Sequence, residues 1–542
     1  MHAGQTRSPV NRMDMMKHCR FLLLLIGACF VTALSGQSST YTVDDFAGSI
    51  TPQDLRMYLS VLASDQLEGR ETGTEGNEKA AQFIASQFNS FGIPPYRQDG
   101  SYYQDVEFTR TDWGEVSVQA GEKTYKQGWD FLCMKRYATR QEVFALPEII
   151  FAGYGIMDPK HNDYKDLDVR GKAILIYEGE PVNGKGTYCI TGTKEPSEWG
   201  NSWRKKMEAA TEQGVAVVMM IANDFKQLTG QTRRFNVGPS ITLGPAGEGS
   251  EGPALVILSS TMARELMGGQ VKEVIAARDR INKGKRPKSV VLTTPFTLTA
   301  RMDRQRITGS NVLGYIEGID PALKDELVVI TAHFDHLGKR GDDIFNGAND
   351  NGSGTSTVLD IAQAFALAKQ KGVGPRRSVL CMLVTGEEKG LLGSEYYAEN
   401  PVFPLENTVV NVNVDMVGRV DKKHEGNPDY IYVIGSDRLS TDLHRINEEA
   451  NARTMKLELD YTYNAKDDPN RYYQRSDHYN FAERGVPAIF YFNGSHEDYH
   501  RPSDTIEKID FEAMAKIGKL VFYTSWELAN RDERIRVDVQ GE

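Results

Sequence analysis

SVLCMLVTGEEKG, residues 378–390, runs an apolar segment into a threonine and a glycine, then sets two carboxylates, Glu387 and Glu388, side by side. A continuous apolar run that stops at a turn reads as a strand buried on both faces, the kind found in a parallel sheet between helices. One glutamate at a strand end is ordinary. Two adjacent like charges need a positive partner, and the flanking sequence indicates where it comes from.

Outward from this stretch, strand and helix patterns alternate. LVVITAH (327–333), STVLDIAQAFALAKQ (356–370), VVNVNVDM (409–416) and PAIFYF (487–492) surround it. This predicts an α/β fold with a mixed, mostly parallel sheet flanked by helices. In such sheets ligands gather at the carboxyl ends of the strands. The residues that follow each predicted strand are then informative. LVVITA ends in His333, Phe334 and Asp335, and the next loop carries Asn349-Asp350-Asn351-Gly352-Ser353-Gly354. The quoted strand ends in Glu387 and Glu388, VVNVNV ends in Asp415, and PAIFYF is followed by Glu497-Asp498-Tyr499-His500.

Five metal-binding side chains therefore converge on one sheet edge: His333, Asp350, Glu388, Asp415 and His500. A shared carboxylate can bridge two dications, with one histidine and one further carboxylate completing each position. The metals would neutralise the acids that otherwise repel. One of the paired glutamates would bind metal and its neighbour would face the water.

The bulk properties narrow the field. The chain has 542 residues, 40% hydrophobic and 25% charged, with a formal net charge of −11. That length suggests two or three domains. The acidic balance argues against nucleic acid as a partner, which needs a basic surface. Arg7, Arg12, Lys17 and Arg20 precede FLLLLIGACFVTAL, about 14 apolar residues and too short for a comfortable membrane span. Ala33-Leu34-Ser35 follows as a small-x-small cleavage pattern, so residues 1–35 read as a secretory signal peptide. The mature protein is thus expected outside the cytoplasm: periplasmic, at the cell surface or extracellular. Ile26-Gly27-Ala28-Cys29 also resembles a lipoprotein box, which makes Cys29 a candidate lipid anchor. Cys133, Cys189 and Cys381 remain in the body, with no spacing for a disulfide framework or a thiolate metal site. Metal ligands must then be oxygen and nitrogen.

Residues 41–112 read as the first part of the main domain. TPQDLRMYLSVLA opens on a capping Thr51, and Ala80, Ala81, Phe83, Ile84 and Phe88 mark one face of a second helix that stops at Gly92. Between them lies the glycine-rich loop LEGRETGTEG. From 113 to 300 the texture changes to short β-runs with a helix ending at Gly214, a β-rich insertion. Residues 301–530 hold the rest of the main domain.

The motifs HFDHLG, GANDNGSG, TGEEKGLLGS, NVDMVGR, RSDHYNF and YHRPSDT together resemble the co-catalytic zinc aminopeptidases of family M28, from about Leu55 to Ile509 apart from the insertion. The resemblance implies a zinc exopeptidase fold and two Zn²⁺ per chain, with His333 and Asp415 on one, Glu388 and His500 on the other, and Asp350 between. It implies Glu387 as general base, Asp335 orienting His333 by a hydrogen bond, Tyr499 donating to the tetrahedral intermediate and Arg475 contacting substrate or product. Peptides would be the substrates and a free N-terminus would be required. The insertion, through FAGYG, YKDLDVRGKAILIYEG and AATEQGVAVVMMI, resembles a protease-associated (PA) domain, expected to roof part of the cleft. Asp467 and Asp468, in the loop YTYNAKDDPNRYY, are candidates to receive the substrate's ammonium group. Two other readings share the scaffold: a single-zinc glutaminyl cyclase-like acyltransferase and a non-catalytic binding protein. A serine hydrolase is disfavoured because no GxSxG elbow occurs.

Overall fold

The computed structural model describes residues 41–245, 251–285 and 289–539, so the expected signal peptide and Cys29 lie outside the described residues. Among the described residues no helix is long and apolar enough to cross a membrane.

The apolar runs form the centre of an eleven-stranded sheet. Ser378–Val384, Leu327–His333, Thr408–Val414 and Ala488–Phe492 lie parallel in that order, with Ile330 opposite Cys381 on one side and Val412 on the other. Antiparallel strands flank this centre, so the sheet is mixed. The first three of these strands are buried at every position, which explains why they read as unbroken apolar runs.

Alternation survives inside the runs as a choice of core. Val379, Cys381 and Leu383 pack on the face covered by helices Pro52–Leu62, Gly354–Gln370 and Phe511–Asn530. Leu380, Met382 and Val384 pack on the opposite face with Leu313, Tyr397 and Phe481. Cys381 is a fully buried core residue. Thr51 and Thr74 accept hydrogen bonds from Asp54 N–H and Asn77 N–H, capping Pro52–Leu62 and Glu75–Ser90.

The insertion hangs on a long antiparallel ribbon. Tyr103–Ala120 pairs with Phe296–Ile316 from Tyr103–Val312 to Ala120–Phe296, so the expected boundaries at 113 and 300 fall within continuous strands. Beyond the ribbon stands a second, six-stranded sheet with its own core. Its centre, Ile149–Phe151, Ala173–Tyr177, Val217–Ile221 and Ala254–Leu258, is also parallel. Parallel strands need crossovers, and helices Trp203–Glu212 and Phe225–Asn236 lie between its successive strands. The segment is therefore α/β rather than β-rich. Its strand Ser240–Leu243 returns to pair with Phe108–Thr111 of the main sheet.

Candidate active site

Each parallel strand of the main sheet delivers one or two polar residues to its carboxyl end. His333 ends its strand, and His333, Asp335 and His336 are all buried. Asp350 sits in the loop before helix Gly354–Gln370, whose asparagines lace that loop to the neighbouring strand end. Asn351 donates to Val414 O at 3.0 Å and accepts from Met416 N–H, and Asn349 accepts from Gly418 N–H at 2.8 Å. Asp504 accepts from the backbone N–H groups of Asn349 and Asp350. Arg70, fully buried, comes from the glycine-rich loop and donates to the carbonyls of Phe334, Asn346 and Gly347, bracing both loops.

The structure brings all five predicted ligands together, in two groups. His333 Nε2 lies 3.4 Å from Asp350 Oδ1 and 3.5 Å from Asp415 Oδ1. His500 Nε2 lies 3.0 Å from Asp350 Oδ2 and 3.1 Å from Glu388 Oε1. Asp350 thus turns one carboxylate oxygen to each group. Glu387 stands apart from the second group, with Oε2 3.8 Å from His333 Nε2.

His336 lies outside the five-ligand set, yet its Nδ1 is 2.9 Å from Glu388 Oε1 and 3.8 Å from Asp350 Oδ2. The available signal was the i, i+3 histidine pair within HFDHLG.

Asp335 differs from expectation. Its carboxylate is 3.7 Å from His333 Nδ1, beyond hydrogen-bond range. The Asp335 backbone carbonyl stands 3.1 Å from that nitrogen instead. The carboxylate is engaged elsewhere, accepting from Thr72 Oγ1 at 2.9 Å and from the N–H groups of Glu387 and Glu388 at 3.1 and 3.3 Å. It therefore fixes the turn that splays the two glutamates apart.

Tyr499 stacks on His500 with ring centroids 3.8 Å apart, and its hydroxyl is 3.5 Å from Arg475 Nη2. Both line a cleft, together with Met416, Tyr472, Phe490 and Phe492. Among the described residues, none of the 113–300 segment lines it. Asp467 and Asp468 do not reach it either; Asp467 is exposed, and Asp468 accepts from Tyr472 N–H and Asn470 N–H within its own turn.

The electrostatics ask for positive charge. Burial pushes the Glu387 carboxyl well above the usual range, and the charges of Glu388, Asp415 and Asp477 push the same way. Burial opposes protonation of His500, but Asp350 and Glu388 outweigh it and carry the imidazole up to about 9. The donor set also fits a metal: Asp415 Oδ1 and both ring nitrogens of His336 are buried without a hydrogen-bond partner, and the ligand atoms are the nitrogens and oxygens that zinc accepts.

Residues 311–525 match the model of peptidase family M28. The chain is 30% identical over 272 residues to a probable zinc metalloprotease of Pyrenophora tritici-repentis, covering 41% of this chain and 52% of that protein. It is 29% identical over 234 residues to the aminopeptidase YwaD of Bacillus subtilis, covering 42% and 46% respectively. The chain thus spans about half the length of these curated relatives. Among solved structures, an aminopeptidase from Aneurinibacillus sp. strain AM-1 shares the fold, with a TM-score of 0.55 at 18% identity over 92% of this chain and 99% of that one. Family match, shared fold and a paired acid–histidine cluster at the strand ends agree, and residues 311–525 constitute a peptidase family M28 domain.

Proposed function

We propose that this chain is an exported zinc exopeptidase, an aminopeptidase that hydrolyses the first peptide bond of substrates with a free N-terminus. The observation that carries the reading is the division of labour in the cluster. Asp350 turns one oxygen to each histidine group, while Glu387 stays outside the second group and faces the first. His333, Asp350 and Asp415 would hold one zinc, and Asp350, Glu388 and His500 the other. Zinc in such a setting supplies a Lewis acid that lets water lose a proton near neutral pH.

The remaining steps belong to the side chains. Glu387 takes the water's proton on its carboxylate and returns it to the leaving amine nitrogen. Its burial favours the protonated form and so readies it for that return. The Tyr499 hydroxyl, at the cleft wall beside Arg475, donates a hydrogen bond to the oxygen that gains charge. Met416, Phe490, Phe492 and the Tyr472 ring supply an apolar pocket wall, which suits an apolar residue at the cleaved end. Asp335 holds the turn so that the two glutamates cannot exchange positions.

The test is a pair of isosteric changes, with zinc content and kcat measured together on a free peptide and its N-acetylated form. Glu387→Gln is expected to keep both zincs and lose about 10²–10⁴-fold in kcat. Glu388→Gln is expected to lower zinc occupancy itself. Equal cleavage of the acetylated peptide would remove the aminopeptidase label, and one zinc in the active parent would favour the cyclase-like chemistry. Sequencing the N-terminus of the mature protein tests the export signal.

A further inference from the structure

We infer that His336 is a fourth protein ligand at the position held by Asp350, Glu388 and His500, so that this position is closed and the one at His333 is open. The inference rests on the metal reading of the cluster and adds to it a residue outside the five-ligand set.

His336 is fully buried, and neither ring nitrogen makes a hydrogen bond. A buried imidazole whose Nε2 has no partner and whose Nδ1 has only carboxylates before it is costly unless something else satisfies it. Its Nδ1 is 2.9 Å from Glu388 Oε1, near enough for a hydrogen bond but not aligned for one. The same nitrogen is 3.8 Å from Asp350 Oδ2. His500 approaches the same two oxygens, at 3.0 and 3.1 Å. Two imidazoles therefore converge on one pair of carboxylate oxygens, and their rings meet edge to face with centroids 5.7 Å apart.

The ring is held in this pose by its surroundings. The His336 N–H donates to Arg70 O at 3.3 Å, and Gly347 packs so tightly that a Cβ there would lie 2.5 Å from His336 Cγ. This glycine adopts φ +53°, so the loop carrying Asp350 needs it both for its backbone and for the ring.

Two histidines and two carboxylates would give that position four protein ligands, the number at which zinc sites close. Three protein ligands, as at His333, Asp350 and Asp415, leave a position for water or substrate. The two positions should then differ in how readily they lose metal.

The experiment uses the mature full-length protein, stripped and reloaded with measured zinc. The parent should bind two zincs and release one much faster to a chelator. His336→Gln should keep one zinc at parental affinity and weaken the other by more than about 100-fold, beyond the 10–100-fold typical of losing only an outer hydrogen bond. His336→Cys, loaded with cadmium, should show a thiolate-to-metal charge-transfer absorption missing from the parent, whose Cys133, Cys189 and Cys381 serve as background. A His336→Gln protein holding two zincs within tenfold of parental affinity would overturn the inference while leaving the metal reading intact. So would a folded His336→Cys protein that binds cadmium without the new absorption, a result that does not depend on how the glutamine variant folds. A parent that takes up fewer than two zincs would overturn both.

Discussion

Among the described residues two sheets have parallel centres, and of these two the main sheet alone carries a metal-like cluster. At the strand ends of the inserted sheet, Glu178 accepts from Asn223 N–H at 2.8 Å and Trp203 Nε1 at 3.2 Å. Glu180 accepts from the Ser197 hydroxyl at 2.9 Å, and Asp163 from Tyr154 and Ile156 N–H groups. These acids find donors in their own neighbourhood. In the main sheet, acids from separate loops face histidines at 2.9–3.8 Å. A parallel sheet supplies the edge; what makes a site there is a set of carboxylates that the local backbone leaves unneutralised.

The strongest way to break this comparison is to remove the shared acid. Asp350→Ala should lose metal from both positions and bring turnover below detection, as read by elemental analysis beside a peptidase assay. Retention of one full equivalent would show that Asp350 does not join the two groups.

A third kind of acid sharpens the contrast. Asp360, on helix Gly354–Gln370, accepts from Thr51 N–H through Oδ2, while its Oδ1 has no partner. Burial pushes this carboxyl up to about 8, with Asp54 adding in the same direction. Its folded value lies above its unfolded one, so the folded state binds the extra proton. The stability this contributes is complete below about pH 4 and is lost as pH rises towards 8. Asp360→Asn should remove that slope, on the order of 1 kcal/mol per pH unit between pH 5 and 7. Thermal melts of both proteins across this range check it, and parallel curves would contradict the assignment.

The smallest effect is expected in the inserted sheet. Glu178→Gln keeps an acceptor for only one of its two donors, Asn223 N–H or Trp203 Nε1, so it should cost about 1 kcal/mol and leave kcat unchanged. A large loss of activity would mean that the insertion acts on the cleft although none of its described residues lines it.

Much of the centre was legible because it follows from strand ends. His333, Glu387, Glu388 and Asp415 each lie at or just beyond an apolar run, where the chain has few alternatives. The supports that no strand pattern shows are reached through space. Arg70 bonds carbonyls more than 260 residues away, Ser476 donates to Asp415 Oδ2 at 2.7 Å, and Asp504 supports Asp350 from the far end of the chain. The two aspartates at 467 and 468 failed in the opposite way, since proximity to an aromatic loop in sequence did not place them in the cleft.

Sequence alone determined the alternating strands and helices, the buried parallel centre and the set of acids and histidines at its edge. Hydrophobic periodicity and strand polarity are local properties, and a side chain at a strand's end has little freedom over which edge it occupies. Only the tertiary structure decided which acid shares its two oxygens, that Asp335 spends its carboxylate on the glutamate turn, and that His336 joins His500. Those outcomes depend on distances of about an ångström between loops far apart in the chain, set by packing around Arg70 and Gly347.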